Sequence, residues 1–460
     1  MHFPRKALAS LNLASLNLAS LNLASPNMAR PIQARLNQSR LLLAGALLFL
    51  AACSALPIPV GTLTPAASPT PNATLPSTPA ITPTPAGPPT LEVWLPPQFA
   101  TIPGSAAGDI LQARLDEFTA QGKGVRIQVR VKPVDGPGGL LDTLTTASAA
   151  APLALPDLVA LPRPMLEAAA LKGLLHPYTN LLSNPDDPDW YDYAGQLARL
   201  QNSQFGMPFA GDALILVYRQ ETIAEPPAAL SPLPQLQGAL AFPAADPQAL
   251  YTLALYQAAG GAILDAEGRP FLDKEPLTRV LAFYHEAALS ELTPFWLTQF
   301  QSDDQSWDAF KKRQSEMAIT WASRFLQEQP AGYAAAALPT LDGTDFTLAT
   351  GWVWAIASPL PERQKLAAQL AEFLSESHFL ASWTHATGYM PPRPSALETW
   401  GQASLRLFVG NVSKSAHLYP SADVLPSLAP PLTEATIEML KQQDDPAAAA
   451  EKAANSLLGP

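Results

Sequence analysis

The sequence predicts an α/β protein whose mainly parallel sheet carries helices on both faces. Three observations lead there. Short β-type runs alternate with amphipathic helical runs from Leu91 onward, as in sheets built from strand–helix–strand units. Runs such as "LPDLVAL" are almost wholly apolar, which suits strands buried in a covered sheet. The chain has 460 residues and is 48% hydrophobic, enough for large buried cores.

The elements follow in order. "LEVWL" (91–95) is a β-type run. Ile110, Leu111, Leu115 and Phe118 recur at helical spacing and end in glycines. "VRIQVRV" (125–131) alternates apolar and polar residues, as a half-buried strand does. "GLLDTLTTASAA" reads as helix, "LPDLVAL" as a buried strand, and "RPMLEAAALKGLL" as a helix stopped by Gly173. Helices are predicted over 247–259, 275–289 and 303–312. "EMAITWA" is then a strand leading into a short helix, and "GWVWAIAS" a further strand. "PERQKLAAQLAEFLSES" is an amphipathic helix. The end, from Leu432, reads as helix, a break at Pro446, and helix again.

The net charge of −11 without a Lys/Arg cluster argues against a nucleic-acid partner. A single cysteine excludes an internal disulfide or a cysteine-based zinc site. Asp186, Asp187 and Asp189 lack the mid-loop glycine and closing glutamate of a calcium loop and read as a solvated acidic loop. His378 and His385 stand seven apart, too far for a paired metal site by themselves. No hydrolase, zinc-protease or phosphate-loop motif is present, so no metal, cofactor or catalytic group is expected.

The front of the chain is organised differently. Residues 1–27 hold the repeat "ASLNL" three times from Ala9, too short to build a core, and translation is expected to start at Met28. Arg30, Arg35 and Arg40 precede the apolar run 41–50, which is too short to span a bilayer and is followed by small residues. Leu50-Ala51-Ala52-Cys53 closes the run and resembles the lipobox of bacterial lipoproteins, which implies a signal peptide over 28–53 and a lipid on Cys53. The alternative is a plain signal peptide with an incidental cysteine. Residues 54–90 are rich in Pro, Thr, Ser and Ala without periodicity, a linker composition.

Five segments in sequence order resemble the maltose-binding-like extracellular solute-binding proteins of ABC transporters. They are the succession from Trp94 through "KGLLHPYT", then "FGMPFAGDALILVYRQ", "KKRQSEMAITWASRF", "ATGWVWAIASPLPERQKLAAQLAEFL" and "TGYMPPR". Arg219 stands where that family usually has Asn, and Arg313 and Glu316 where it has Gly and Ala. The resemblance implies a two-lobed periplasmic-binding-protein fold of type II. Residues 91–208 and 319–357 would form the N-terminal lobe, and 209–318 and 358–460 the C-terminal lobe. A hinged cleft between them would bind a small solute, a sugar or oligosaccharide. The protein would be a monomer outside the cell membrane, anchored to it through Cys53, and would deliver solute to ABC permease subunits. A sensing or adhesion lipoprotein on the same fold, or a secreted glycosidase, are the alternatives.

Candidate ligand contacts follow from chemistry and from the resemblance. Trp94 ends the first strand, where ligands of open sheets sit, and Gln98 and Phe99 lie in the loop beyond it. Asp212 is a carboxylate in an apolar segment, so it must be paired or solvated, and by resemblance it matches an acidic residue that bonds sugar hydroxyls. Trp321 and Arg324 follow a strand. Trp352 and Trp354 share one strand face, with Trp352 beside Gly351 the one expected at the cleft, and Tyr389 and Arg393 flank the "YMPPR" turn. The nine tryptophans suit a flat hydroxylated ligand.

Overall fold

A computed structural model describes residues 89–121, 124–185, 187–233 and 238–458. The expected repeat, signal peptide, Cys53 anchor and most of the linker, like Asp186, lie outside these residues.

The first strands and helices are β1 (Thr90–Leu95), α1 (Ala106–Ala120), β2 (Arg126–Val131), α2 (Leu140–Ala150), β3 (Leu158–Pro162), α3 (Arg163–Leu171) and α4 (Asp192–Leu197). The middle holds β4 (Arg199–Leu200), β5 (Ser203–Gln204), β6 (Gly206–Arg219), β7 (Leu240–Ala241), α5 (Leu250–Ala258), α6 (Lys274–Leu289) and α7 (Asp303–Lys311). Then come β8 (Met317–Trp321), α8 (Ala322–Glu328), β9 (Tyr333–Ala336), β10 (Thr347–Ile356), α9 (Pro361–Phe373), α10 (Ser377–Thr387) and α11 (Pro394–Glu398). The chain closes with α12 (Ala403–Ser415), β11 (Ala416–Leu418), α13 (Leu425–Leu440) and α14 (Pro446–Asn455).

Local chemistry explains most ends. The Ser105 hydroxyl accepts from the Gly108 amide and starts α1, whose Leu111, Leu115 and Phe118 are buried. Gly388 ends α10 in the left-handed conformation, at φ 72°. Asp445 caps α14 with Pro446 at its first position, so the predicted break falls one residue before the proline. The helix before it starts seven residues earlier than Leu432 and runs through Pro430 and Pro431, since proline keeps a helical φ and forfeits only its own N–H bond.

Strand order is β2-β1-β3-β10-β6-β8-β7, with β11 on β10 and β9 on β6. The first three strands are parallel, but β10 runs antiparallel to both β3 and β6, and β6 antiparallel to β8 and β9. The sheet is therefore mixed rather than mainly parallel, since β6 and β10 run against their neighbours. All fourteen residues of β6 are buried, in keeping with its mostly apolar sequence.

Strand β6 is shared by the two halves of the sheet. Through Ala213 it pairs with β10, and from Leu214 it pairs with β8. Helices α6, α13 and α14 pack together beyond β8, and α7 lies on β8. Two sets of contacts cross the lobe division that the resemblance implies. Strand β8 pairs with β6 beyond Leu214 and with β7, so the return to the first half is made by β10 instead. Helices α9 and α10 pack against β1 and α1 of the first half, although the resemblance implies the other lobe for 358–460. Their charges explain it: Arg363 binds the buried Asp157 carboxylate of the β3 entry, and Arg114 of α1 donates to the Phe373 carbonyl at 2.9 Å.

Two glycines face each other across β6 and β10, Gly211 and Gly351. Their missing side chains let α4 lie directly on the strands. A Cβ on Gly211 would come within 2.0 Å of the Tyr193 hydroxyl, and one on Gly351 within 2.4 Å of the Ala210 carbonyl. Gly351→Ala is expected to lower unfolding free energy in urea by about 1–3 kcal/mol, because backbone rather than a side-chain tip blocks it.

Candidate functional site

Asp212 sits where β6 exchanges β10 for β8. Its register partner on β10 is Thr350, and the next residue but one on that face is Trp352. The residue is 8% exposed, and its carboxylate turns to the start of α8. Oδ1 accepts from the Ser323 amide at 2.9 Å and from the Ala213 amide at 3.0 Å, and Oδ2 accepts from the Ser323 hydroxyl at 2.5 Å. Burial pushes the group up to about 7; the Ser323 and Ala213 bonds oppose this, and the nearby Asp303 charge adds to it.

The folded value lies above the ordinary aspartate value of about 3.8, so the native state holds a proton that the unfolded chain releases. The associated stability is full below about pH 4 and is lost as pH rises through about 7, by up to about 4 kcal/mol. Urea unfolding from pH 5 to 8 is expected to show this fall in the wild type and a flatter profile in Asp212→Asn.

Aromatic rings gather beside this carboxylate. Phe99 is surrounded by Trp352, Trp383, Phe209 and Tyr389, with ring centroids at 5.1, 5.2, 5.3 and 5.3 Å. Trp352 and Tyr389 are only partly buried, whereas Phe99 is buried beneath them and acts as their support. Burial raises the Tyr389 hydroxyl, the Asp212 charge raises it further, and a hydrogen bond with Trp352 opposes both. The Gly-Tyr-Met turn is tied to β6 through reciprocal Gly211–Met390 backbone bonds of 2.8 and 2.9 Å.

Trp321, half-buried, is the last residue of β8 and immediately precedes α8. Arg324 follows in the first turn, where Nε meets Asp303 Oδ2 at 2.7 Å and Nη2 meets Asp304. The structure thus brings Asp212, Trp352, Tyr389 and Phe99 together, with Trp321 and Arg324 on the adjoining segment.

The remaining candidates are elsewhere. Trp94 is 2% exposed, donates from Nε1 to Glu92 at 2.6 Å and packs with Leu140 and Leu144. Trp354 is buried and stacks on Phe209. Gln98 is exposed. Arg393 meets Asp187 at 2.6 Å and Asp189 at 3.4 Å and lies 3.7 Å from the Trp190 ring centre. The acidic loop is therefore anchored to that arginine instead of simply solvated. Asp187, Trp190 and Arg393 line a separate cavity of about 670 Å³ with Glu372 and Glu376. Arg219, the departure noted in the sequence, is buried between the Phe310 and Tyr333 rings and donates to the Phe310 carbonyl.

Residue spacing did not reveal Ser323 or Thr350. Ser323 carried one usable signal, a hydroxyl two residues after a strand end, where it starts a helix. Among the described residues no cluster of three or more His, Cys, Asp or Glu could hold a metal, and no helix is long and apolar enough to cross a membrane.

A family model described as bacterial extracellular solute-binding protein matches residues 113–404. No curated protein sequence matches the chain. Among solved structures, the sugar-binding protein MalE of the phytopathogen Xanthomonas citri superposes with a TM-score of 0.65 at 18% identity, over 80% of this chain and 96% of that one. A cyclo/maltodextrin-binding protein complexed with maltotetraose gives 0.64 at 22% identity, over 80% and 96%. The cyclic α-maltosyl-1,6-maltose binding protein of Arthrobacter globiformis gives 0.64 at 18%, over 81% and 98%. The fold is that of the two-lobed maltose-binding-like proteins.

Proposed function

The chain belongs to the bacterial extracellular solute-binding protein family, and from that premise we propose that it captures a saccharide between its lobes and passes it to an ABC permease. The observation that carries the reading is the position of Asp212, a buried carboxylate where the shared strand changes partner. A few polar groups placed among aromatic faces are what small-solute sites use to orient a ligand. Trp321, Trp352 and Tyr389 supply flat faces for sugar rings, and Asp212 and Arg324 supply hydrogen-bonding groups. Closure of the lobes about β6 and β10 would seal the solute from water. A lipid on Cys53 and the proline-rich linker would hold a monomer beside its permease, outside the cytoplasm.

The test is a thermal-shift and calorimetric screen of the purified protein with maltotriose, mannotriose, maltotetraose, polyols and amino acids. A saccharide at a hundredfold excess over its Kd is expected to stabilise the fold by about 2.7 kcal/mol. Stabilisation by an amino acid and by no saccharide would overturn the saccharide assignment.

A further inference from the structure

Sugars, polyols, sugar phosphates and uronates are all small hydroxylated solutes, and they differ in charge. Two groups at the start of α8 have the chemistry to bind an anion: the Ser323 amide and hydroxyl, and the Arg324 guanidinium. The chain's own carboxylates already occupy both. Asp212 takes the Ser323 amide and hydroxyl. Asp303 and Asp304 flank Arg324 from the start of α7. The local balance is one cation against three carboxyl groups. Asp303 is close enough to Asp212 for their charges to interact.

We propose that this arrangement selects against negative charge, so that the site takes uncharged saccharides and rejects sugar phosphates and uronates of similar size. The inference rests on the saccharide reading above and narrows it. An incoming phosphate or carboxylate would lie beside Asp212 and Asp303 with its natural partners already engaged. Uncharged hydroxyls can donate to Asp212, whose remaining lone pairs accept them. Asp303 and Asp304 therefore act as specificity-determining residues through Arg324, although neither needs to touch the solute.

The test compares matched solutes on the purified protein by calorimetry at pH 8, where Asp212 is ionised: maltotriose and mannotriose against trigalacturonate, and glucose against glucose 6-phosphate. Each anionic solute is expected to bind at least about tenfold more weakly than its neutral counterpart, since like charges placed together oppose association. In the Asp303→Asn/Asp304→Asn variant, with a native melting profile as the folding check, the ratio is expected to shrink as Arg324 is released. If that variant does not fold, Asp304→Asn alone, at an exposed position, is expected to shrink it partially. Equal or tighter binding of an anion by the wild type would overturn the charge selection and leave the saccharide reading intact. Binding of neither class would overturn the saccharide reading and the inference with it.

Discussion

Asp212→Ala is expected to weaken saccharide binding roughly ten- to hundredfold, the loss of a hydrogen bond to a charged acceptor in a partly dry site. The change also removes the cap on α8, so Kd must be read beside a melting curve. Asp212→Asn separates the two effects. It retains an acceptor oxygen for the Ser323 amide, which Asp212 now binds at 2.9 Å, and loses the charge. A hydroxyl that donates to Asp212 favours the ionised form, so wild-type affinity is expected to rise with pH through about 7 and to level off above it. The Asn variant should show no such rise. A Kd unchanged by Ala at pH 8 would place the solute elsewhere, the cavity beside Arg393 being the next candidate.

Arg363→Ala is expected to cost about 3–5 kcal/mol of folding stability, the usual effect of stranding a buried carboxylate. Asp157 is 1% exposed and lies at the entry to β3. It accepts from Arg363 Nε at 2.7 Å, from Nη2, and from the Glu92 amide at 2.8 Å. Arg363 also donates to the Thr90 carbonyl at 2.5 Å. The pair therefore joins α9 to both β1 and β3. Arg363→Lys should recover only part of the loss, because an ammonium cannot present the planar fork. Equilibrium unfolding in urea reads both variants. A loss below about 1 kcal/mol for Ala would mean that α9 is held mainly by its apolar face.

Most strands and long helices were legible because burial imposes a short period on residues that are close in sequence. Leu111, Leu115 and Phe118 mark α1 this way, and the mostly apolar sequence of β6 suits a strand covered on both faces. Asp212 was legible for the related reason that a lone carboxylate in such a run needs partners. Family resemblance was legible from the order of five segments, and the family match over 113–404 agrees with it.

Pairing partners could not be read in the same way. Whether β8 joined the first or second half of the sheet depended on contacts with β6, about a hundred residues earlier in the chain. The placement of α9 and α10 depended on Arg114, Asp157 and Arg363, whose pairings no local pattern encodes. The aromatic candidates divided for the same reason. Trp94 and Trp352 look alike in sequence, both apolar and both on strands. One is sealed beneath α2, and the other stands half-open beside Tyr389. Local periodicity tells that a side chain faces away from water on its own element. Which neighbour covers it is set by long-range packing, so strand and helix positions belong to the sequence, and the membership of the site to the tertiary fold.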